Sequence, residues 1–378
     1  MIVLNIDNLN MIKNILLKIY LITRYAINII DSRFRMTSSI SRDKALSILE
    51  EYSPDPGFNC KCVNIIEKGE HNADLQIVVP IYNAKTYLRE CVNSILNQET
   101  QYSFKVVLID DGSKDSSGRI ADEYSKDSRV KVIHQQNRGF SGARNAGLKN
   151  ICADYIMFVD SDDRLDQGAI QNLMQVAKRE NADIVQGGYN CFSDTTIWNG
   201  FKYNKESNVN SHDLQGYPWG KVFSSTLFKY IQFPENYWFE DTIDEFIIYP
   251  MSKNSWVIPQ SVYCYRQNPN GISNTATYNR KCLDTFWITI HLIEEHKRMK
   301  LEENEDYISQ LRRQMCLNAG RVHRCPLKVK YSVFRLTAES FIKQYEKLPS
   351  VNNESNKQLY WICKNLDFPK FEYMCNCN

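Results

Sequence analysis

The chain has 378 residues, of which 43% are hydrophobic and 12% aromatic, and it carries a formal net charge of +2. This composition describes a globular protein with a substantial core, in one large domain or two, and the small charge gives no indication of a nucleic-acid partner. The 12 cysteines and 6 histidines are scattered, without zinc-ligand spacing at Cys60-x-Cys62 or Cys375-x-Cys377. We therefore expect reduced, structural cysteines and a cytoplasmic protein.

The N-terminal segment Met11–Ile30 is rich in isoleucine, leucine and tyrosine. It is interrupted by three basic residues, Lys13, Lys18 and Arg24. Because a membrane span needs about 20 nearly uncharged residues, a transmembrane helix is not expected. Three interpretations stay open: a basic amphipathic helix on the inner face of a membrane, a helix packed on the protein body, or a stretch that precedes a true start at Met36.

Residues 31–73 are polar and irregular and predict a linker, with one short helix near Ser41–Glu51. From Asp74 onward, short apolar runs alternate with segments of helical periodicity. The runs with the length and residue content of strands are 75–79, 104–109, 130–133, 155–159 and one that begins at 183–185. Such alternation predicts an α/β fold, Rossmann-like, with a mainly parallel sheet flanked by helices.

The pattern changes after Asn190. Residues 191–215 are polar and predict a loop region, a helix is expected near Phe246–Tyr249 and a strand at Val262–Tyr265, and the chain reads as helical from Tyr278 onward. We therefore divide the chain into an N-terminal segment with linker (1–73), an α/β domain (74–275) and a helical C-terminal region (276–378).

Polar clusters follow three of the predicted strands. They are Tyr82 with Asn83, Asp110 with Asp111, and Asp160 with Asp162. Because the carboxyl ends of parallel strands meet at one edge of a sheet, where ligands bind in α/β folds, these clusters predict a single site. Two aspartates at positions i and i+2 can both reach one divalent cation, and their oxygens suit Mg²⁺ or Mn²⁺. The alternative is a polar turn in which an aspartate caps the next helix.

Five motifs, in order, resemble the signatures of the family 2 glycosyltransferases, which have the GT-A fold. They are Pro80-Ile81-Tyr82-Asn83, Asp110-Asp111-Gly112-Ser113, the loop from Gly139 to Asn145, Asp160-Ser161-Asp162-Asp163, and Glu240-Asp241. The resemblance covers about 74–275, and it implies a catalytic domain there with a nucleotide-binding half at 74–190 and an acceptor half at 191–275. Trp219-Gly220-Lys221 and the stretch from Tyr265-Arg266 to Ser273 further resemble bacterial enzymes that build surface polysaccharides.

The resemblance implies an inverting transferase that moves a sugar from a nucleotide-sugar, with UDP as the expected nucleotide, to a hydroxyl of a saccharide or lipid-linked saccharide. Such acceptors occur in capsule, O-antigen or exopolysaccharide biosynthesis. Asp162 is the expected main ligand of Mn²⁺ or Mg²⁺, with Asp160 on the ribose or the metal. Asp110 or Asp111 can accept the N3–H of uracil. The other expected donor-binding residues are Pro80, Tyr82 against the base, Asn83, and Arg144 at the base or diphosphate.

Asp241 is the expected general base, since an aromatic pair precedes it and can partly desolvate it. Glu240 is the alternative base, and a helix N-cap is the non-catalytic interpretation. Trp219 has two equally weighted interpretations, an apolar platform for a sugar ring and an ordinary core residue. One rival function is a nucleotidyltransferase, which would need a glycine-rich phosphate loop where this chain has Asn83-Ala84-Lys85. The other is a non-catalytic sugar-binding protein, in which the acidic residues are expected to be lost, although all of them are present here.

Overall fold

The computed structural model describes residues 40–60, 72–149, 151–268 and 271–377. They fall into two compact units. The larger unit is Pro56–Thr275 with His291–Leu301, and the smaller unit takes the described part of Met1–Asp55 with Ala276–Ile290 and Glu302–Asn378. Met11–Ile30 lies outside the described residues, so its assignment stays a prediction, as do the three predicted domains.

In the described part of the larger unit, ten strands form one sheet. In chain order they are β1 (Ala73–Ile81), β2 (Phe104–Asp110), β3 (Val130–His134), β4 (Ala153–Phe158), β5 (Arg164–Leu165), β6 (Ile184–Phe192), β7 (Ile197–Phe201), β8 (Ser207–Val209), β9 (Lys221–Ser224) and β10 (Ser255–Arg266). The spatial order is β3-β2-β1-β4-β9-β6-β10-β5, with β7 paired to β6 and β8 paired to β10. Strands β1 to β4 are parallel, as are β6 and β10, whereas β9 is antiparallel to β4 and β6.

The helices are, in chain order, α1 (Arg42–Tyr52), α2 (Leu88–Leu96), α3 (Ser117–Glu123), α4 (Gly139–Leu148), α5 (Ala169–Glu180), α6 (Tyr249–Met251), α7 (Ile272–Thr275), α8 (Asp284–Arg298), α9 (Glu305–Arg321), α10 (Leu327–Tyr345), α11 (Glu354–Lys364) and α12 (Phe368–Cys377). A π-helical turn at Asp244–Ile248 precedes α6. Among the described residues, none of these helices has the length and apolarity needed to cross a membrane.

The alternation of strands and helices up to β6 confirms the predicted pattern, because each element carries its own local signal. The buried positions of α2 are Leu88, Cys91, Val92 and Ile95, the spacing of one helical face. The short helix predicted near Ser41–Glu51 is also confirmed as α1. It begins after Ser41, whose hydroxyl accepts a hydrogen bond from the backbone N–H of Lys44 at 3.3 Å.

The second half of the sheet departs from the sequence prediction at two places. Residues 191–215 are not a loop, since β7 and β8 both pair into the sheet. Strand β7 is an exposed edge strand, and a strand without a buried face lacks the apolar alternation that predicts strands. Strand β10 begins at Ser255, seven residues before the predicted start at Val262. Pro259 lies where the pairing of β10 with β6 is irregular, and a proline within a run argues against a strand.

The core of the larger unit lies between the sheet and its helices, and it brings α4 close to β1. Gly147 makes this possible, because a Cβ atom there would lie 2.5 Å from Val78 Cγ1. The buried amide of Gln76 on β1 also donates to the Gly147 carbonyl at 2.8 Å. This close approach fixes the position of Arg144, one turn earlier on α4.

The smaller unit consists mainly of packed helices. Helix α10 packs against α1, α9 and α11, and α12 packs against α9 and α11. The helical C-terminal region expected from the sequence is therefore present.

Candidate active site

The turn after β2 is organised around Asp110. Its Oδ1 accepts the backbone N–H of Ser113 at 3.0 Å, and its Oδ2 lies 2.9 Å from Nδ1 of His134. Burial acts to raise the pKa of Asp110, but the hydrogen bonds from Ser113 and His134 outweigh it, and the pKa is lowered. Asp110 is therefore an ionised carboxylate held by the protein itself.

Asp111, the next residue, is almost fully buried and has one oxygen to spare. Its Oδ1 accepts the backbone N–H of Arg138 at 2.9 Å and the side-chain amide of Gln135 at 2.6 Å. Its Oδ2 is buried without a hydrogen-bond partner among the described residues. A buried carboxylate oxygen without a donor is a favourable acceptor for an N–H group brought by a ligand.

The turn after β1 contacts the turn after β2. Asn83 has a φ of 51°, its side-chain oxygen accepts the backbone N–H of Lys114 at 2.8 Å, and its own N–H donates to Ser113 Oγ at 3.1 Å. Tyr82 is 48% exposed, whereas Pro80 is a buried residue of β1. The contacts of Asn83 are thus with the protein, and Tyr82 is the aromatic ring available at this edge.

The turn after β4 carries Asp160, Asp162 and Asp163, which differ in their surroundings. Burial, followed by the negative charge of Asp160, raises the pKa of Asp162. Burial also raises the pKa of Asp163, which is 1% exposed and accepts hydrogen bonds from Tyr263 and from the backbone of Arg266. A carboxyl group whose pKa is raised by a neighbouring negative charge marks a position where a cation is stabilised.

The donor set also suits a divalent metal that is completed by a ligand. No group of three or more histidine, cysteine, aspartate or glutamate side chains is arranged to hold a metal within the described ranges. Mg²⁺ is commonly held by one or two carboxylates together with substrate phosphates rather than by a full protein cage. Asp160 and Asp162 fit that arrangement.

Arg144 joins two parts of the chain that are far apart in sequence. It is 4% exposed, and it donates to Asp160 Oδ1 at 2.9 Å and to Glu240 Oε1. Burial acts to lower the pKa of Arg144, but the charges of Glu240 and Asp160 raise it. Its Nε is buried without a partner in the described structure. The expected contact of Arg144 with the base or diphosphate stays a prediction, and the ion pair with Glu240 is a contact that sequence reasoning missed.

The turn at Glu240 and Asp241 begins a helical segment. Phe239, just before it, has a φ of 64°, and the N–H of Asp244 donates to the carbonyl of Asp241 at 3.0 Å. Glu240 is buried, whereas Asp241 is partly exposed. Burial raises the pKa of Glu240 above the usual value for a glutamate, against the opposing charge of Arg144. The partly exposed member of the pair, Asp241, is therefore the one that is more accessible to a ligand.

A buried lysine and a buried aspartate lie behind this turn, and the sequence analysis predicted neither of them as part of the site. Lys221 donates to the carbonyl of Gln215 at 2.6 Å and to Tyr249 Oη, and burial lowers its pKa to about 8. Asp244 is fully buried, neither of its side-chain oxygens has a hydrogen-bond partner among the described residues, and burial raises its pKa to about 7. The only sequence signal was the position of Lys221 in the Trp219-Gly220-Lys221 motif.

Trp219 is a core residue and not an open platform. Its ring is 7% exposed and stacks on Tyr217 at a centroid distance of 3.8 Å and on Tyr263 at 4.4 Å. The aromatic stack ties the segment before β9 to β10.

Comparison with known proteins identifies the family. Residues 76–249 match the family described as glycosyl transferase family 2. The glycosyltransferase GlyG of Streptococcus pneumoniae is 31% identical over 222 residues, which span 53% of this chain and 73% of GlyG. The chain belongs to glycosyl transferase family 2. GlyA of the same bacterium is 32% identical over 222 residues, which span 54% of this chain but only 32% of GlyA.

The family 2 assignment agrees with the fold. The crystal structure of S. aureus TarS 1-349 in complex with UDP-GlcNAc is similar, with a TM-score of 0.60, 19% sequence identity, and coverage of 80% of this chain and 89% of that one. At this identity the similarity concerns the fold alone, and it confirms the predicted GT-A class. Membership of family 2 favours glycosyl transfer over the two rival functions, the nucleotidyltransferase and the non-catalytic sugar-binding protein.

Proposed function

We propose that the chain transfers a sugar from a UDP-sugar to a hydroxyl group of a saccharide or lipid-linked saccharide during bacterial surface-polysaccharide assembly, with inversion at the anomeric carbon. The observation that carries this proposal is the Arg144 bridge. Because Arg144 contacts both Asp160 and Glu240, it holds the donor-side aspartates next to the turn that bears Asp241. A donor bound at the aspartates and a base beside it are the two parts that direct displacement needs.

On the donor side, the unpartnered Oδ2 of Asp111 supports recognition of uracil through its N3–H, with the exposed ring of Tyr82 against the base. The similar TarS structure is a complex with UDP-GlcNAc, and a UDP-sugar suits the same edge of this sheet. Asp162 and Asp160 would hold Mn²⁺ or Mg²⁺. When bound, the metal supplies positive charge against the diphosphate leaving group.

On the acceptor side, Asp241 would take the proton of the attacking hydroxyl. Glu240 is less suited to this task, because its carboxylate is buried against Arg144. Arg144 would hold Asp160 and the Glu240–Asp241 turn in a fixed position relative to each other. If Met11–Ile30 is the basic amphipathic helix, one of its three interpretations, the protein would meet a lipid-linked acceptor at the inner face of a membrane.

Two variants test the proposal. Asp162→Asn should abolish metal-dependent UDP binding in calorimetry, because an amide is a poor ligand for a hard cation. Asp241→Asn should keep UDP binding and lower kcat by about 10²–10⁴-fold, the usual loss when a general base is removed. Turnover is measured as UDP released from a panel of UDP-sugars with manganese.

Asp127→Asn is the matched control, because this carboxylate pairs with Arg129 on the turn before β3. It should leave both measurements near wild type. Unchanged binding and turnover in Asp162→Asn would overturn the donor assignment. Full turnover in Asp241→Asn, with loss in a variant of Glu240 that still folds, would transfer the role of base to Glu240.

A further inference from the structure

The turn from Asp160 to Asp163, here called the aspartate loop, is attached to β10 as well as to its own strand. After the loop the chain enters β5, which pairs with β10 in the antiparallel direction, Leu165 opposite Tyr263. The loop is therefore held between β4 on one side and the carboxyl end of β10 on the other. Two residues of β10, Tyr263 and Arg266, form hydrogen bonds with it.

Tyr263 closes the loop with a single hydroxyl group. Its side chain is fully buried. The hydroxyl accepts the backbone N–H of Asp160 at 3.1 Å and donates to Asp163 Oδ2 at 2.9 Å. One oxygen atom thus connects the first and last residues of the loop, and stacking of its ring on Trp219 keeps that oxygen in place.

Arg266 holds the middle of the loop. Its Nε donates to the carbonyl of Asp162 at 2.7 Å, and its backbone N–H donates to Asp163 Oδ1 at 2.6 Å. Its guanidinium group lies against the rings of Tyr87 and Phe192, with ring centroids 4.4 and 4.3 Å from Cζ. The guanidinium also pairs with Glu90 and with Asp194, the latter at 3.3 Å. Because these contacts hold the Arg266 side chain in place, its Nε in turn fixes the carbonyl of Asp162.

We propose that Tyr263 and Arg266 are positioning residues that set the direction of the Asp162 carboxylate, and that Asp163 is their anchor and not a ligand. Both carboxylate oxygens of Asp163 accept hydrogen bonds from β10. The backbone around Asp162 is held by the same strand, through the N–H of Asp160 and the carbonyl of Asp162. A hard cation requires carboxylate oxygens at fixed places, so a loose loop weakens its binding. The catalytic consequence of this positioning rests on the proposed function, whereas the attachment of the loop does not.

Tyr263→Phe tests the inference, because it removes the hydroxyl and keeps the ring that stacks on Trp219. Without ligands, amide hydrogen exchange at Asp160 should become about tenfold faster, the effect of losing one protecting hydrogen bond. Metal-dependent UDP binding should weaken about five- to tenfold, while kcat at saturating metal and donor stays within about twofold. Arg266→Lys, which keeps the charge and the backbone donor but loses Nε, should show the same split of binding from kcat.

Tyr155→Phe is the matched control. Tyr155 is a buried tyrosine of β4 whose hydroxyl donates to the carbonyls of Ala177 and Ala182 at 2.9 and 3.0 Å. Its removal also costs two hydrogen bonds, but away from the aspartate loop. It should lower the thermal midpoint about as much as Tyr263→Phe and leave exchange at Asp160 and UDP binding unchanged. A merely structural role of Tyr263 would make the two variants alike.

Each outcome decides the question. Unchanged exchange at Asp160 in Tyr263→Phe would overturn the attachment of the loop. Faster exchange with undiminished UDP binding would overturn the positioning role. If the wild-type protein bound no UDP with any metal, the proposed function would fail, and the exchange comparison would still decide whether β10 holds the loop. If Tyr263→Phe does not fold, Arg266→Lys provides the binding measurement.

Discussion

Glu240→Gln is the substitution whose effect follows most directly from the geometry of the site. The Glu240 and Arg144 side chains are 8% and 4% exposed, so the substitution removes a buried counter-charge from a guanidinium that cannot lose its proton. Loss of one partner of a buried pair costs about 3–5 kcal/mol. Because Asp160 remains at 2.9 Å from Arg144 and is partly exposed, we expect a loss of about 2–3 kcal/mol.

Thermal unfolding followed by circular dichroism measures this loss. For a unit of this size, each kcal/mol lowers the midpoint by about 2–4 °C, so the expected shift is about 4–12 °C. Glu235→Gln is the matched control, since Glu235 pairs with Arg138, whose side chain is 43% exposed. A pair of that exposure contributes about 0–1 kcal/mol. A midpoint shift in Glu240→Gln no larger than that in Glu235→Gln would refute the cost assigned to the buried charge.

A double variant adds a second check on the same pair. Replacing a buried ion pair by apolar side chains of similar volume is often neutral, because no uncompensated charge remains. Arg144→Met combined with Glu240→Met should therefore unfold closer to the wild-type midpoint than Glu240→Gln alone. A double variant that is less stable than Glu240→Gln would show that burial of the charge is not what makes the single substitution costly. Because Glu240→Gln is expected to destabilise the protein, it cannot serve as a neutral control for Asp241→Asn.

Two further predictions concern the surroundings of the site. Asp110, and then Asp122, raise the pKa of His134, so the stabilisation from this contact is fully present below the unfolded pKa of about 6.5 and is lost as the pH rises through the folded pKa. Because the imidazole is half exposed, His134→Asn should lower the free energy of unfolding by about 0.5 kcal/mol at pH 5.5 and not at all at pH 9. Urea unfolding measures this difference, and an equal loss at both pH values would contradict the ion pair. If Met11–Ile30 is a helix on a membrane surface, deletion of residues 1–35 should release the protein from anionic vesicles in a flotation assay with UDP binding unchanged, and equal flotation after deletion would place the membrane contact elsewhere.

The parallel half of the sheet could be predicted because its signals are local. Each of its strands is an apolar run that ends in a polar turn, and each intervening helix shows the 3.6-residue period. The turns at Asp110 and Asp160 could be placed at one edge by a topological rule alone. Neither β7 nor the first part of β10 carries such a signal, since one lies exposed at an edge and the other contains Pro259.

The pairing of side chains could not be predicted, because it depends on distance in space. Arg144 and Glu240 are 96 residues apart in sequence, and nothing in either segment specifies the other. The three carboxylates of the aspartate loop also look equivalent in sequence. Only the contacts from β10 distinguish Asp163, whose oxygens are used inside the protein, from Asp162.

The same contacts join 74–190, the predicted nucleotide-binding half, to the part of the chain that follows it. Three of the polar groups that 74–190 contributes to the site take their partners from beyond residue 230: Arg144 binds Glu240, the aspartate loop binds β10, and the side-chain amide of Asn145 exchanges two hydrogen bonds of 2.8 Å with the backbone of Phe233. Without those partners a buried guanidinium and a buried amide would be left unsatisfied, at a cost of about 1–3 kcal/mol for each neutral group and more for the charge. The proposed donor side of the site is therefore completed only when the proposed acceptor side has folded against it, and substitutions in β10 or at Glu240 should be judged by their effect on UDP binding as well as on turnover.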